Sequence, residues 1–352
     1  MTHVQEYVRR HRVASYFVLT FGLTFGSVMI VAGGVPGPHT PDTGLLLAVI
    51  AMLVGPPVAG LAMTRLVHGR TGLRTLGARV RKWRVSPRWY AVAILTVPAT
   101  MLASLLVLTA FSREFVPGFL TTDDIVSLAL LALAVALPTA FFEELGWSGF
   151  ATPELRRRHG VLASGLALGA IWGAWHYPVN VWGSASAAQT VPVALFLMVA
   201  LFSMLPPIRI LMVWVYDRTE SVLVAMIMHA SFLAFWLMAT PGEVMTPDAI
   251  AGWHVVVWYV LWAALLWAVV AIVVALARRR TGRQAHQAAE PGQLEGRQAV
   301  PTRMPRIACP DPAGGRFPSL RSLPRTVSDL RDRGVLNDMH DPQVACAPVP
   351  VM

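Results

Sequence analysis

Four ionisable side chains lie within or at the end of apolar stretches of this sequence, where charge is costly. Glu143 and Glu144 are adjacent and follow an apolar run, residues 125–142, that contains no charged residue. His176 and His229 lie within two later apolar stretches. A carboxylate at the centre of a bilayer costs about 3 kcal/mol on insertion scales, so ionisable residues at that depth are rare and usually functional. The pattern therefore indicates a polar site below the membrane surface.

The four residue types support the activation of water. A buried glutamate can act as a general base, and histidines can polarise a carbonyl, stabilise an oxyanion or bind a metal ion. Two histidines and one glutamate bind zinc in some hydrolases, although their usual local signature, H-E-x-x-H, does not occur in this sequence. The spacing alone leaves open whether the site holds a metal.

The positions of Glu143 and His176 predict a similar depth for both side chains. The helices on either side of Gly160 are expected to form a hairpin, with Glu143 17 residues before this glycine and His176 16 residues after it. At roughly 1.5 Å per residue, both lie about 25 Å from the turn. His229 is expected about 15 Å from the turn that precedes its own helix. This mismatch in depth shrinks if the basic turn at 156–158 protrudes from the membrane.

Each of these residues also has an interpretation without catalysis. A single histidine within a membrane usually forms a hydrogen bond between helices. Glu143 and Glu144 would mark a cytoplasmic helix end if the helix stopped at Phe142. Arg209, in another apolar stretch, is expected to extend toward the membrane interface. Proton relays and transporters use the same residue types, although the sequence shows no repeat of broken helices in its two halves.

The composition is that of a membrane protein. The 352 residues are 55% hydrophobic and 14% charged, with a mean hydropathy of +0.56, whereas a soluble domain is about a quarter charged. The expected fold is all-α, a polytopic membrane protein with about eight transmembrane helices and a disordered C-terminal tail. The net charge of +10 is expected on cytoplasmic segments, so no nucleic-acid partner is expected. Both cysteines, Cys309 and Cys346, lie in the tail, which excludes a cysteine-based metal site between the helices.

Basic segments alternate with neutral or acidic ones along the chain. Residues 65–88 carry eight Lys or Arg and no acid, which places them in the cytoplasm. We therefore expect a multi-pass protein of the cell membrane, inner or plasma, with both termini in the cytoplasm. The expected domains are a cytoplasmic N-terminus over 1–14, a transmembrane region over 15–280 with its motifs at about 125–240, and a basic, Pro- and Gly-rich tail over 281–352.

Eight apolar segments are the expected spans, and proline pairs predict breaks in two of them. Pro56–Pro57 interrupts the second span and Pro206–Pro207 interrupts the sixth. The expected spans are 15–34, 44–63, 90–111, a fourth from Ile125 into the glutamate pair, 161–177, 191–216, 221–239 and 253–277.

Three motifs resemble those of the CPBP intramembrane proteases, the family of prenyl-protein (CAAX) proteases and bacteriocin-processing or immunity proteins, also called the Abi family. Residues 143–150, EELGWSGF, followed by Pro153 and Leu155, resemble the first motif. Residues 171–178, IWGAWHYP, resemble the second, and residues 228–231, MHAS, resemble the third. The order and separation of the motifs also fit. The resemblance covers about residues 45 to 240, including the basic loop around Trp83-Arg84-Val85.

The resemblance implies an intramembrane metallo-endopeptidase. By analogy, Glu143 is the general base that activates water, and Glu144 positions it or shares its proton. His176 and His229 would polarise the scissile carbonyl or, together with Glu143, bind a divalent metal such as zinc. The implied substrate is a peptide or protein at the membrane. The lipid bilayer is the other expected partner, with anionic lipid near the basic loops.

Two positions depart from the motifs of this family. Its first motif is two glutamates, three residues and then an arginine, and that last position is Ser148 here. Its third motif has an asparagine four residues after the histidine, and that position is Leu233. In the family the arginine supports the glutamates and the asparagine helps to stabilise the oxyanion. Loss of an oxyanion donor costs a hydrolase a factor of ~10²–10³; Ser231 would replace it only if its helix were rotated.

These departures keep other functions open. One alternative is a catalytically weakened immunity or binding protein of the same fold, which the Ser148 and Leu233 departures favour. A proton-coupled transporter that uses Glu143 and His176 as a relay is less favoured. A scaffold whose polar groups only hold helices together is the third alternative.

Overall fold

The computed structural model describes residues 3–34, 42–184, 192–241 and 253–289. These residues form α-helices, short 3₁₀ and π segments, and connecting turns, without a β-strand in the described ranges. The α-helices are α1 (His3–Arg10), α2 (Arg12–Ala32), α3 (Asp42–Met52), α4 (Gly55–Val80), α5 (Pro87–Thr109), α6 (Ile125–Gly146), α7 (Thr152–Arg156), α8 (Val161–Ser184), α9 (Val193–Leu197), α10 (Leu205–Thr219), α11 (Val222–Ala239) and α12 (Trp253–Ala289). The π segments are Trp147–Ala151 and Met198–Ser203.

Seven helical stretches of the described residues are long and apolar enough to cross a membrane. This confirms the all-α polytopic fold that the composition predicts. The 24-residue helix α8, which contains the expected fifth span, is not among the seven. The seven stretches are Arg12–Ala32, Leu46–Val80, Pro87–Thr109, Ile125–Arg156, Leu195–Thr219, Val222–Ala239 and Trp253–Arg279.

Both proline pairs lie at helix breaks, as the sequence predicts. The second span is divided between α3 and α4, and Pro56 and Pro57 occupy the first turn of α4. The sixth span changes from a π segment to α10, which carries Pro206 and Pro207 in its first turn. Proline is tolerated there because a first-turn N–H has no partner within the helix.

The ends of several elements differ from the expected ones. The basic segment after Met63 is not a loop, because α4 continues to Val80 and bends at Gly69, whose φ of 67° is readily accessible only to glycine. Helix α8 extends to Ser184, beyond the expected end of the fifth span. Helix α12 continues to Ala289, into the region expected to be a disordered tail. Residues 290–352, with both cysteines, lie outside the described residues.

Helix α6, which carries the glutamate pair, lies against α4 and α11. Its start is capped by Asp124, whose carboxylate accepts a hydrogen bond from the N–H of Ser127 at 2.9 Å. Hydrogen bonding to the side chain and then to the backbone of Ser127 lowers the pKa of Asp124. Helix α8 packs closely on α10 at two glycines: a Cβ on Gly165 would lie 2.4 Å from the Cα of Ile210, and one on Gly169 would lie 2.3 Å from the Cα of Pro206. Helices α6, α8, α10 and α11 therefore bring the ionisable residues together.

Candidate active site

The two glutamates are buried within the helical core. The exposed fraction is 1% for Glu143 and 0% for Glu144. Helix α6 does not stop at Phe142, so the interpretation of the pair as a cytoplasmic helix end is wrong. The chain continues from Gly146 into the buried π segment Trp147–Ala151. Such π segments inside helices are frequent at functional sites.

A glycine of the first motif allows α6 to approach α4 and α2 closely. A Cβ on Gly146 would lie 2.3 Å from the carbonyl oxygen of Pro56 and 2.4 Å from the hydroxyl of Tyr16. On the opposite helix, a Cβ on Gly60 would lie 2.8 Å from the Cα of Gly146. These distances leave no space for a side chain, so the glycine directly after the glutamates fixes the position of α6.

Glu144 is surrounded by hydrogen-bond donors from three elements. The Nη1 atom of Arg209 donates to both carboxylate oxygens at 2.9 Å. His229 Nδ1 lies 2.8 Å from Oε1, and the hydroxyl of Ser148 donates to Oε2. Donors to every oxygen of a buried carboxylate stabilise its charged form. Glu144 is therefore built into the fold as an anion.

Arg209 does not extend to the membrane interface, and that expectation is wrong. Its exposed fraction is 0%, and its guanidinium carbon lies 4.2 Å from the centre of the Trp172 ring. An arginine at this depth is stable because Glu144 neutralises it and an aromatic face covers it. The sequence does not show that Arg209 has a partner, Glu144, on α6.

Trp172 on α8 connects Glu143 with both histidines. Its indole Nε1 donates to Glu143 Oε2 at 2.8 Å. Its ring lies edge-on to His176, with 5.2 Å between ring centres, and to His229, with 5.3 Å. Three of the four residues selected from the sequence therefore contact one tryptophan, and the fourth, Glu144, is joined to them through His229. Their catalytic roles stay a prediction.

The hydrogen bonds of the histidines define which ring nitrogen carries the proton. His176 Nδ1 lies 2.9 Å from the carbonyl oxygen of Trp172. A carbonyl only accepts, so Nδ1 of His176 is the donor. The Nδ1 of His229 likewise faces the carboxylate of Glu144. This assignment leaves the Nε2 atom of both rings for a substrate or a water molecule.

Ser148 and Leu233, the two positions that depart from the family motifs, have different surroundings. Ser148 is buried beside Glu144, where Arg209 provides the positive charge. Leu233 packs with apolar residues of α6 and α11, among them Ala132 and Ala136. Ser231 donates to the backbone carbonyl of Ala93 on α5 at 2.8 Å, with the Met228 carbonyl at 3.0 Å. Ser231 therefore does not replace the asparagine in this arrangement.

The expected metal ligands, Glu143, His176 and His229, all contact Trp172. Within the described ranges there is no group of three or more His, Cys, Asp or Glu residues that could hold a metal ion. The oxygens of Glu144 are occupied by Arg209, His229 and Ser148. The ligand set Glu143, His176 and His229 stays a prediction, which metal analysis of the purified protein and of its His229→Ala variant would test.

Trp172 and Arg209 are the two residues whose place in this cluster the sequence did not predict. Trp172 lies in the second motif, four residues before His176, so its place on the same helix face was available as a signal. Arg209 was a charged residue in an otherwise apolar span, which is itself a sign of a buried partner. Nothing in the spacing indicates that this partner is Glu144.

Comparison with known proteins agrees with the motifs. Residues 125–235 match the model of the type II CAAX prenyl endopeptidase Rce1-like family. The chain is 27% identical over 144 residues to CAAX prenyl protease 2 of Methanococcus maripaludis, a match that covers 39% of this chain and 52% of the relative. The chain thus spans about half the length of this curated relative. The segment that carries the glutamate pair and both histidines is therefore similar to CAAX prenyl proteases.

Proposed function

We propose that this chain is an intramembrane endopeptidase that hydrolyses a peptide bond of a membrane-associated peptide or protein. The observation that carries the proposal is the unequal environment of two adjacent buried carboxylates. Glu144 receives donors from Arg209, His229 and Ser148. Among the described residues, Glu143 accepts one side-chain hydrogen bond, from Trp172 to Oε2, so its Oε1 is available to bind and deprotonate water.

In the proposed reaction Glu143 is the general base. It accepts a proton from water as the water oxygen attacks the carbonyl carbon of the peptide bond. The tetrahedral oxyanion then collapses, the C–N bond breaks, and Glu143 returns the proton to the leaving amine. The indole of Trp172 holds the carboxylate in place during both proton transfers.

His176 and His229 stabilise the oxyanion in this proposal. Each ring already donates from Nδ1, to the Trp172 carbonyl or to Glu144, so a protonated ring donates to the substrate from Nε2. Glu144 stabilises a protonated His229 directly, because its carboxylate lies 2.8 Å from Nδ1. Glu144 and His229 would thus have the roles of the carboxylate that orients a histidine and of that histidine in other hydrolases.

Arg209 is proposed as a positioning residue that supplies the charge which the family motif has at the position of Ser148. Its Nη1 lies 2.9 Å from both oxygens of Glu144. The arginine comes from α10 instead of α6, while the smaller Ser148 leaves room for it and adds a hydroxyl donor to the same carboxylate. The departure at Ser148 is thus compensated from a neighbouring helix.

The proposed location is the cell membrane, with both termini in the cytoplasm. Residues 65–88 are basic, and Arg156, Arg157 and Arg158 follow the π segment of the site. Lys and Arg are enriched on the cytoplasmic side of membrane proteins. The location rests on this charge distribution alone.

Cleavage of a peptide library by the protein in liposomes tests the proposed activity. Glu143→Gln and His176→Ala are each expected to lower the cleavage rate at least 100-fold, because one removes the base and the other an oxyanion donor. Glu114→Gln is the matched control, since Glu114 lies in an exposed turn and pairs with His254 at 2.8 Å, outside the site. Unchanged cleavage by Glu143→Gln would refute the assignment of the base.

A second candidate is a binding or immunity protein that keeps the fold without turnover. The observation in its favour is Leu233, which lies in an apolar cluster where the family has an oxyanion donor. In that case the wild type binds peptides but cleaves none of the library, and Glu143→Gln leaves the binding constant unchanged.

A further inference from the structure

A basic cavity of about 590 Å³ lies where α1 meets α2, apart from the residues around Trp172. It is bounded by the junction of the two helices and by the turn that follows α7. Its ionisable lining residues are Arg10, His11, Arg12, Glu154, Arg157, Arg158 and His159.

The cavity has an excess of positive charge because its one lining carboxylate is already paired. Glu154 Oε2 lies 3.0 Å from Nη1 of Arg12, and its Oε1 lies 2.8 Å from Nε2 of His68. The guanidinium groups of Arg10, Arg157 and Arg158 are therefore not neutralised by the lining. This charge suits an anion with several acceptor oxygens, such as a phosphate group.

An apolar groove of about 570 Å³ continues from this cavity along α2. The two share His11 and Ala14 as lining residues. The groove then follows one face of α2, where residues repeat at helical spacing, and is closed on the other side by α4. Its lining beyond the shared residues is Tyr7, Val8, Ser15, Val18, Leu19, Gly22, Leu23, Met63 and Leu66.

The length of the groove matches an acyl chain in one leaflet. From His11 to Leu23 the helix rises about 18 Å at 1.5 Å per residue, whereas one leaflet of the hydrocarbon core is about 15 Å thick. Gly22 lies on this face, and a Cβ there would meet no atom within 4 Å, so the groove is open near its apolar end. The surface thus has a charged end and an apolar end at the spacing of a lipid.

We propose that the cavity and the groove form one binding site for an anionic phospholipid, here named the α2 lipid site and defined by Arg10, Arg157 and Arg158 at its charged end and Val18 and Gly22 in its groove. The phosphate of the headgroup lies among the three arginines, and one acyl chain lies along α2. Charge complementarity and the continuity of the two cavities favour a lipid over a soluble anion.

The bound lipid would stabilise α7, the short helix that precedes the turn with Arg157 and Arg158. Glu154 lies in α7, which directly follows the π segment, and its ion pair with Arg12 joins α7 to α2. A headgroup that neutralises the arginines around this pair lowers the repulsion between the two chain segments. Lipid binding is therefore expected to raise the midpoint of thermal unfolding.

Native mass spectrometry of the full chain in detergent, titrated with phosphatidylglycerol, tests the site. We expect one tightly retained lipid per chain, with weaker retention of phosphatidylcholine. The double variant Arg157→Gln/Arg158→Gln is expected to weaken phosphatidylglycerol binding at least 10-fold. The matched control is Arg278→Gln/Arg279→Gln, which removes two adjacent exposed arginines of α12 that do not line the cavity.

A second pair of variants tests the groove. Gly22→Trp fills the groove and is expected to weaken phosphatidylglycerol binding at least 10-fold, while Gly26→Trp is not, because Gly26 has equal free space on the same helix but does not line the groove. The proposal would be overturned if phosphatidylcholine bound as tightly as phosphatidylglycerol, or if both double arginine variants lost the same amount of phosphatidylglycerol binding. It would also be overturned if inorganic phosphate alone raised the midpoint of thermal unfolding. So would a Gly22→Trp variant that binds like the wild type.

Discussion

Glu144 and Arg209 form a fully buried ion pair, and this pair is the structural centre of the proposed site. Their side chains are 0% and 1% exposed. Replacing both members of such a pair by apolar residues is often neutral, but removing one leaves a buried charge without its partner and costs about 3–5 kcal/mol. The pair therefore fixes where α10 meets α6 and holds Glu144 beside His229.

The variant Arg209→Met is expected to lower the peptide cleavage rate at least 100-fold and to destabilise the protein by about 3–5 kcal/mol. The double variant Arg209→Met/Ser148→Arg is expected to recover part of both losses, because the charge returns to the position where the family motif has it. Cleavage rates and thermal unfolding of the two variants provide the measurement.

A matched control for this comparison is Arg156→Met. Arg156 pairs with Asp217 at the surface, with 2.8 Å from Nε to Oδ1, and exposed pairs contribute about 0–1 kcal/mol. Wild-type activity of Arg209→Met would contradict the positioning role. A double variant no better than the single one would contradict the relocation of the charge from position 148.

The sequence predicted the ionisable members of the site but not their partners. Glu143, Glu144, His176 and His229 were recognisable because their residue types are rare in apolar stretches. Arg209 was misjudged, since its partner lies 65 residues away along the chain and the direction of a side chain is set by that partner. The indole of Trp172 was not recognised as the donor to Glu143 for the same reason.

At the scale of elements, the close approach of α4 and α6 determines the position of the carboxylates. Gly60 and Gly146 face each other, and neither position has room for a Cβ. Pro56 lies in the first turn of α4 and presents its carbonyl oxygen to Gly146. A shift of α6 at this point would displace Glu143 and Glu144, which lie less than one turn before the glycine.

The variant Gly146→Ala is expected to destabilise the protein by about 1–3 kcal/mol, the usual cost of an extra carbon in a well-packed core. It should also lower the cleavage rate, because the added Cβ would lie 2.3 Å from the Pro56 oxygen and α6 must move. Gly26→Ala is the control, since no atom lies within 4 Å of its Cβ. Equal unfolding midpoints for both variants, measured in detergent, would show that the contact is not tight.

Helix breaks were predictable, whereas helix ends were not. A proline pair acts locally, so the breaks at Pro56–Pro57 and Pro206–Pro207 follow from the residues themselves. The charge of residues 65–88 indicates the side of the membrane but not the conformation, and α4 therefore continues as a helix to Val80. The bend at Gly69 could not be predicted from the sequence, since glycine permits a positive φ without requiring it.

At the scale of the whole molecule, alternating basic and neutral segments predict the orientation in the membrane. The turn after α4 is basic, and the turns between α5 and α6 contain Glu114, Asp123 and Asp124. These two regions lie at opposite ends of α5 (Pro87–Thr109), which is long enough to cross a bilayer. The proposed orientation places the first region in the cytoplasm and the second outside.

Single cysteines test this orientation in a background with Cys309→Ser and Cys346→Ser. An impermeant maleimide added to intact spheroplasts is expected to label the Asp123→Cys variant, whereas Ser86→Cys should be labelled only after the membrane is opened. Both positions are exposed, so access to the reagent depends on the membrane alone. The reverse labelling pattern would contradict the proposed orientation.

The central claim is that Glu143 activates a water molecule to cleave a peptide bond, and incorporation of ¹⁸O tests it most directly. The wild-type protein in liposomes, incubated with a susceptible membrane peptide in H₂¹⁸O, is expected to produce a fragment whose new C-terminal carboxyl group carries one ¹⁸O atom by mass spectrometry. Glu143→Gln should lose this product at least 100-fold, while Glu114→Gln retains it. A labelled fragment formed at the same rate by Glu143→Gln, or no labelled fragment from the wild type with any peptide, would contradict the account.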